Sequence, residues 1–264
     1  MPPQSFDSSA KTYDADFTNT AIGKIQRAQV WKYLLPLIAS PKNILEINCG
    51  TGEDALQLSS LGHSVLATDV SGEMIEVAKR KLGSEHSGVR FVHASFSSVK
   101  ETVAEEKFDL LFSNFGGLNC VDETELKKLS NDFSSLLNES GKMFLVIMGS
   151  NCRWEQFYFM LKLNFQKAFR RKVKAGAETK IGKSVFKTFY YSPAEIEKVF
   201  ALHFEVKLRK PVGLFVPPSY LEPFFKNKKW LLNGLTLLDN RLGLFSLFAN
   251  QADHFAIVLQ KKIF

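Results

Sequence analysis

The sequence predicts an α/β fold on a doubly wound, mostly parallel sheet, and three observations carry that expectation. From about residue 42 to 148, short apolar runs alternate with amphipathic segments, as strands buried between helices do. Ile44-Leu45-Glu46-Ile47 runs directly into a glycine-containing turn, Asn48-Cys49-Gly50-Thr51-Gly52, and then into a helix. The next apolar run, Val65 to Thr68, ends on the carboxylate of Asp69. Consecutive parallel strands need right-handed crossovers, which distribute the helices over both faces of the sheet.

Taken in order, Asn43 to Ile47 is the first strand, and Glu53 to Leu61 a helix stopped by Gly62. Ser64 to Thr68 is the second strand. Ser71 then caps a helix whose apolar positions Met74, Ile75, Ala78 and Leu82 recur at helical spacing before Gly83. Arg90 to His93 and Phe108 to Phe112 are the third and fourth strands; a helix over Glu123 to Leu137 leads through Gly141 to a fifth, Met143 to Met148. Past residue 150 the character changes. Trp154 to Val173 reads as one aromatic-rich basic helix, followed by a hairpin turning near Ile181-Gly182-Lys183 and returning along Ser184 to Tyr191. Ser192-Pro193-Ala194-Glu195 opens a helix with a cap, a proline at the first position and a glutamate at the third. Phe204 to Leu208 is a sixth strand and His254 to Leu259 the last; Pro217 and Pro218 break the chain before a second aromatic stretch. At the other end, Phe6, Tyr13 and Phe17 precede a helix from about Ala21 to Leu35, which Pro36 ends or kinks.

With 264 residues, 45% hydrophobic and 23% charged, the chain has the composition of a globular protein rather than a disordered one. Its three cysteines, Cys49, Cys120 and Cys152, lack the CxxC spacing of a metal or redox motif, so reduced thiols and a cytoplasmic setting are expected, with no metal. The segment Met1 to Asp7 has no basic start or apolar stretch of a signal peptide. Trp230 to Phe248 is interrupted by Asn233, Asp239, Asn240 and Arg241, which argues against a membrane span. The net charge of +7 is local. Lys167, Arg170, Arg171, Lys172, Lys174, Lys180, Lys183 and Lys187 crowd one stretch, and Lys226, Lys228 and Lys229 another. Such runs are either a solvated face or an attraction for something anionic: a phosphorylated substrate, an acidic carrier protein or a membrane surface that would hold the protein peripherally. No nucleic-acid module accompanies them, which disfavours DNA or RNA as partner.

The segment Ile44 to Met148 resembles the class I S-adenosylmethionine-dependent methyltransferases, of the small-molecule and quinone type. Glu46 stands where that family ends its first strand on an acid; Cys49-Gly50-Thr51-Gly52 matches the latter half of its glycine motif, with Asn48 in place of the first glycine. Asparagine tolerates left-handed backbone better than most residues. The resemblance implies a seven-stranded Rossmann-like sheet with an antiparallel last strand and aromatic-rich cap insertions. It divides the chain into an N-terminal cofactor-covering segment, 1–40, a cofactor-binding core, 41–150, and 151–264 with the acceptor-side insertions and last two strands, all one domain. S-adenosylmethionine is the implied cofactor. Asp69 would hold its ribose hydroxyls, Ser95 and Phe96 its adenine, and Asn114 and Phe115 would line the methyl-transfer pocket. Val70 and Met74 complete the implied cofactor set. Tyr13, in the aromatic-acidic lead-in, would sit near the methionine part, and Arg27 either pairs with that part's carboxylate or is a surface arginine.

The residue types suit this chemistry. Glycines at 50 and 52 would let the backbone pass close to a cofactor, and a carboxylate accepts from two adjacent hydroxyls. Aromatic faces suit a sulfonium cation. A dinucleotide-binding oxidoreductase is the rival, with Ala55 in the place of its third glycine, but Glu46 is unwelcome beside a pyrophosphate. A non-catalytic cofactor-binding protein is a second alternative. No residue announces itself as a catalytic base; His254 and Tyr191 are the candidates. Aromatic residues from Trp154 to Phe169 and from Tyr220 to Phe248 point to a lipophilic or aromatic small-molecule acceptor. If Asp69 holds the ribose, Asp69→Ala should weaken S-adenosylmethionine binding by roughly tenfold or more; unchanged affinity in titration calorimetry refutes the assignment.

Overall fold

The computed structural model describes residues 6–103, 105–181 and 184–263. Its elements, in chain order, begin with helix α1 (Ala21–Leu34), followed by strand β1 (Asn43–Ile47), α2 (Glu53–Ser60), β2 (Ser64–Asp69), α3 (Gly72–Arg80) and β3 (Val89–His93). The short α4 (Val99–Thr102) leads to β4 (Phe108–Ser113), α5 (Glu123–Leu136) and β5 (Leu137–Met148). Then come α6 (Arg153–Leu161), α7 (Phe165–Ala168), the hairpin strands β6 (Ala177–Ile181) and β7 (Ser184–Thr188), and α8 (Pro193–Phe200). β8 (Phe204–Val212), α9 (Glu222–Phe225), α10 (Lys229–Leu242) and β9 (His254–Lys261) complete the chain.

Seven strands form one sheet in the order β3-β2-β1-β4-β5-β9-β8. The first five are parallel, and β9 runs antiparallel to both its neighbours. This is the architecture expected from the sequence. Strands buried on both faces must be apolar at every position, and β1 shows the consequence. Ile44 packs on the face covered by α1, α2 and α3, while Leu45 and Ile47 pack on the face covered by α4, α5 and α8. Glu46 lies between them with 2% exposure, a carboxyl in an apolar strand. The chain reverses its direction of travel across the sheet between β1 and β4, and the loops leaving their carboxyl ends therefore diverge and leave a crevice.

Several boundaries differ from the sequence reading. β8 runs on to Val212 and takes in Pro211, which an edge strand with one partner can accept. β5 begins at Leu137, opposite Phe108, through an irregular register that the apolar pattern does not signal. The hairpin strands β6 and β7 pair from Ala177↔Thr188 to Ile181↔Ser184; the turn residues Gly182 and Lys183 lie outside the described residues. The largest difference is the single helix expected over Trp154 to Val173. It is broken after α6: Leu163 takes a left-handed φ of 54°, Asn164 caps α7 by accepting from the Lys167 N–H, and a 3-10 turn follows at Arg170–Lys172. The break folds Arg170 and Arg171 back onto Glu155, which is 1% exposed, and a buried carboxylate needs those partners more than the chain needs a continuous helix.

Two carboxylates tie the late insertion to the rest. Glu222 accepts from the N–H groups of Ala21 and Ile22 at 3.0 and 2.9 Å, capping the start of α1 from the far end of the chain. Asp239, 3% exposed, accepts from Leu214, Phe215 and Val216 N–H groups at 2.9–3.1 Å. Asp239→Ala leaves those backbone donors without their acceptor, so it should destabilise the fold by about 3 kcal/mol in denaturant titration. A variant as stable as the parent would remove Asp239 from the fold's support.

Candidate active site

The turn after β1 contains three left-handed residues: Asn48 (φ 53°), Gly50 (φ 55°) and Gly52 (φ 78°). Asn48 explains its own presence. Its Nδ2 donates to the Asn114 carbonyl at 2.8 Å and its Oδ1 accepts from the Ser113 hydroxyl, so it stitches the ends of β1 and β4 across the crevice. A glycine could not. The two glycines serve different ends. A β-carbon at Gly50 would point into space bounded by the Tyr13 ring at 3.9 Å, so this is the backbone that faces the cleft. At Gly52 it would strike the Phe91 ring at 2.7 Å and Ala78 at 2.9 Å. Gly52 is therefore required by the turn and by packing of α3 and β3, and it does not line the cleft.

The cleft is lined by Tyr13, Asn48, Gly50, Asp69, Val70, Met74, Phe96, Asn114 and Phe115, nine of the thirteen cofactor residues named from the sequence. Phe6, from the N-terminal lead-in, and Gly117, from the loop after β4, also line it, as does Cys120, which had no sequence signal. Ser95 does not; its hydroxyl is spent on Ser97 and Ser98 in the turn after β3. The cleft measures about 100 Å³ with Phe6 and Tyr13 closing one side, and is narrower than a usual cofactor pocket of roughly 300 Å³ or more. The N-terminal segment is held there by polar contacts: Asp7 accepts from the Ser71 hydroxyl, and Asp14 accepts from Thr51 at 2.6 Å and pairs with Lys81 at 2.6 Å.

Asp69 is 8% exposed and accepts from the Gly50 and Ser71 N–H groups, both at 2.8 Å. Burial pushes its carboxyl up, partly offset by those two bonds. Each oxygen keeps further acceptor capacity for a ligand. Beneath the crevice, Asp54 accepts from Trp31 Nε1 at 2.7 Å, from Asn114 Nδ2 at 2.9 Å and from Arg27. Asp54 was missed by sequence reasoning; its one signal is an acid in the first turn of α2, where such residues are common. Arg27 is not a surface arginine. Its side chain is 13% exposed, and its guanidinium lies 5.1 Å from the Phe115 ring centre, beside Glu46 and Asn48. Phe115 itself is left-handed, at φ 47°, a conformation uncommon for an aromatic residue and characteristic of functional sites.

A second cavity of about 320 Å³ shares Phe6, Tyr13, Phe115, Gly117 and Cys120 with the cleft and extends under the insertion to Arg170, Arg171, Tyr190, Tyr220 and His254. The His254 ring meets the Phe115 ring edge to face at 5.8 Å. Its Nδ1 lies 3.2 Å from Asp253 Oδ2, an ion-pair distance without hydrogen-bond alignment. Arg171, from the broken helix, donates to Asp253 Oδ1 at 2.7 Å and to the Asp253 carbonyl at 2.9 Å. Burial alone would raise the Asp253 carboxyl, but the facing His254 and Arg171 outweigh it and hold it below the usual carboxylate range. Tyr191 stands elsewhere. It packs in the core between α5 and α8 and donates its hydroxyl to the Val121 carbonyl at 2.6 Å, while burial raises its hydroxyl further from any use as a base. Among the described residues no group of three or more His, Cys, Asp or Glu side chains is placed to hold a metal ion.

A family model described as a methyltransferase domain matches residues 44–141. The chain is similar to a demethylmenaquinone methyltransferase of Clavibacter sepedonicus, 28% identical over 53% of this chain and 55% of that one. It is also similar to an uncharacterised methyltransferase of Schizosaccharomyces pombe, 37% identical over 42% of this chain and 75% of that one. The chain belongs to the class I S-adenosylmethionine-dependent methyltransferases. It spans about half the length of the Clavibacter relative. In fold it matches the CcbJ methyltransferase of Streptomyces caelestis over 100% of both chains, with a TM-score of 0.63 at 14% identity.

S-adenosylmethionine is thus the family's cofactor, and the chemistry of the cleft can be tested against it. The strongest sign of fit is Glu46, which lines not the cleft itself but a small pocket adjoining it at Tyr13, Asn48 and Asn114, and whose Oε2 is buried with no hydrogen-bond partner among the described residues. Burial, reinforced by Asp54, pushes the Glu46 carboxyl well above its usual range. A neighbouring ammonium group would pull that value down again and favour release of the carboxyl proton, because an opposite charge favours the carboxylate. Cofactor binding should accordingly release a proton, and affinity should rise with pH up to the raised Glu46 value. Calorimetry in buffers of different ionisation enthalpy measures that proton. Glu46→Gln should abolish its release and weaken binding by about tenfold; a release unchanged in that variant would assign the proton elsewhere.

Proposed function

We propose that the protein methylates a small lipophilic or aromatic acceptor, at a hydroxyl or an acidic carbon, with His254 as the general base. The observation that carries this reading is the aromatic chamber that shares Phe115 with the cleft and has the Asp253–His254 pair in its wall beside that ring. When bound, S-adenosylmethionine supplies an electrophilic methyl group on a cationic sulfur.

The chain's own groups do the rest. Asp69 would accept from the ribose hydroxyls, and Glu46 would meet the amino group. Phe96, Val70 and Met74 would give apolar contact to the base. Phe115 and Tyr13 would supply aromatic neighbours for the cationic centre; burial pushes the Tyr13 hydroxyl up to about 12 and keeps it neutral. Phe6, Phe17 and Tyr220 exclude water from the acceptor and orient it. His254 takes the proton leaving the acceptor. Asp253 faces Nδ1, favouring the tautomer whose Nε2 is the free base, and Arg171 holds Asp253 in place.

The resemblance to a demethylmenaquinone methyltransferase supports a quinone-like acceptor, and the aromatic chamber agrees with it. His254→Asn should lower kcat by roughly a hundredfold or more, with cofactor affinity unchanged. Undiminished turnover would remove His254 from the chemistry. Assays on matched hydrophobic and polar acceptors, with an RNA control, test the acceptor class; activity confined to polar acceptors or to RNA would sink it.

A further inference from the structure

The insertion carries two stretches without a single acidic residue, 156–177 and 223–238. They meet in the fold: Trp154 packs edge to face on Phe225 at 6.1 Å, and Phe159 stacks on Tyr220 at 6.2 Å. A small apolar cluster that also holds Ile22, Leu221 and Leu232 joins α6, α9 and α10 to α1. Beyond that cluster the apolar side chains turn outward. Leu163 is 80% exposed at the left-handed corner between α6 and α7, and Trp230 is 76% exposed at the start of α10. Phe157, Leu161, Phe165 and Phe224 are exposed between them. Lys162, Lys167, Lys172, Lys226, Lys228 and Lys229 stand among these side chains, and none pairs with a carboxylate among the described residues. Several lie over aromatic faces instead: Lys228 on Phe224 at 3.4 Å, Lys162 on Tyr158 at 4.4 Å and Lys172 on Phe169 at 5.2 Å.

A merely solvated face would mix the signs of its charges and hide its large apolar groups. We propose that this face docks the protein on an anionic lipid bilayer. Protruding apolar tips ringed by uncompensated ammonium groups match a surface with phosphate at headgroup level and acyl chains beneath. The lysine stems lie along apolar side chains while their heads remain at the polar level. Two copies of the same face would repel, and single tips on a corner and a helix start form no pocket for a protein side chain. Among the described residues no helix is long and apolar enough to cross a membrane, so the contact is interfacial. Tyr220 belongs both to this face and to the acceptor chamber, which gives a bilayer-dissolved acceptor a route in. That last step rests on the proposed function; the docking itself does not.

Vesicle flotation of the full chain, without methyl donor, tests the proposal. Vesicles of phosphatidylcholine with phosphatidylglycerol should carry the protein at least tenfold better than phosphatidylcholine alone, and salt should weaken the binding. Tryptophan emission should shift to the blue as Trp230 leaves water, over the emission of buried Trp31 and half-buried Trp154, and the Trp230→Ser change should remove that shift. Leu163→Ser with Trp230→Ser should bind at least tenfold more weakly. Lys226→Gln, Lys228→Gln and Lys229→Gln together should cost about a hundredfold. Leu163, Trp230, Lys226 and Lys229 are exposed, and half-buried Lys228 bonds only the neighbouring Phe224 carbonyl, so both variants should melt close to the parent temperature, which separates lost docking from lost folding. Absence of flotation on anionic vesicles overturns the proposal, and so does equal binding by the variants. Self-association that the Leu163/Trp230 variant abolishes, without vesicle binding, would give the face to a second copy and overturn it too. Because no donor is present, these outcomes are independent of turnover on a water-soluble acceptor, which tests the methyl-transfer reading.

Discussion

One buried carboxylate organises the cofactor side of the molecule. Asp54 sits beneath the β1–β4 crevice and accepts from three elements at once: Arg27 and Trp31 of α1, and Asn114 of the loop after β4. A carboxylate at 4% exposure is tolerable only with such partners, and each partner is thereby fixed. Fixing Asn114 sets the left-handed Phe115 beside it, and fixing Arg27 places a guanidinium over the Phe115 ring, in the small pocket that Glu46 also lines. The crevice itself follows from strand order, but its walls follow from this one network. Asn48 serves the same end from the other side, bonding Ser113 and Asn114 where a glycine would leave the two strand ends unconnected.

The acceptor side repeats the device with the charges reversed. Arg171 is buried at 5% exposure and spans Glu155 of α6, the Gly149 carbonyl after β5, and Asp253 before β9. It is the joint between the insertion and the sheet. Its position interrupts the helix that the local sequence favours, and in return the insertion is seated over the chamber with Asp253 facing His254. The insertion thus couples packing, the geometry of the base and the outward apolar face in a single folded unit.

The sequence by itself determined the sheet. The continuous apolar strands, the capping residues Ser71 and Ser192, and the left-handed turn at Asn48, Gly50 and Gly52 are local statements, and local physics decides them: side-chain periodicity, cap hydrogen bonds and backbone sterics. Most cleft-lining residues were legible for the same reason, since they follow strand ends whose positions the apolar runs reveal. Asp54 and Cys120 were not legible, because what gives Asp54 its partners beneath the crevice, and Cys120 its place on the cleft wall, is contact between segments far apart in the chain. Gly52 and Ser95 show the converse: their residue types suit a cofactor, yet the tertiary structure spends one on ring packing and the other on a serine turn. Tyr191 and His254 were equivalent as sequence and are separated only by the fold, which gives one hydroxyl to the Val121 carbonyl and turns the other ring into the chamber. The broken helix at Leu163 was decided in the same way, because the demand of a buried Glu155 for two arginines is a long-range electrostatic term that no local helix propensity contains.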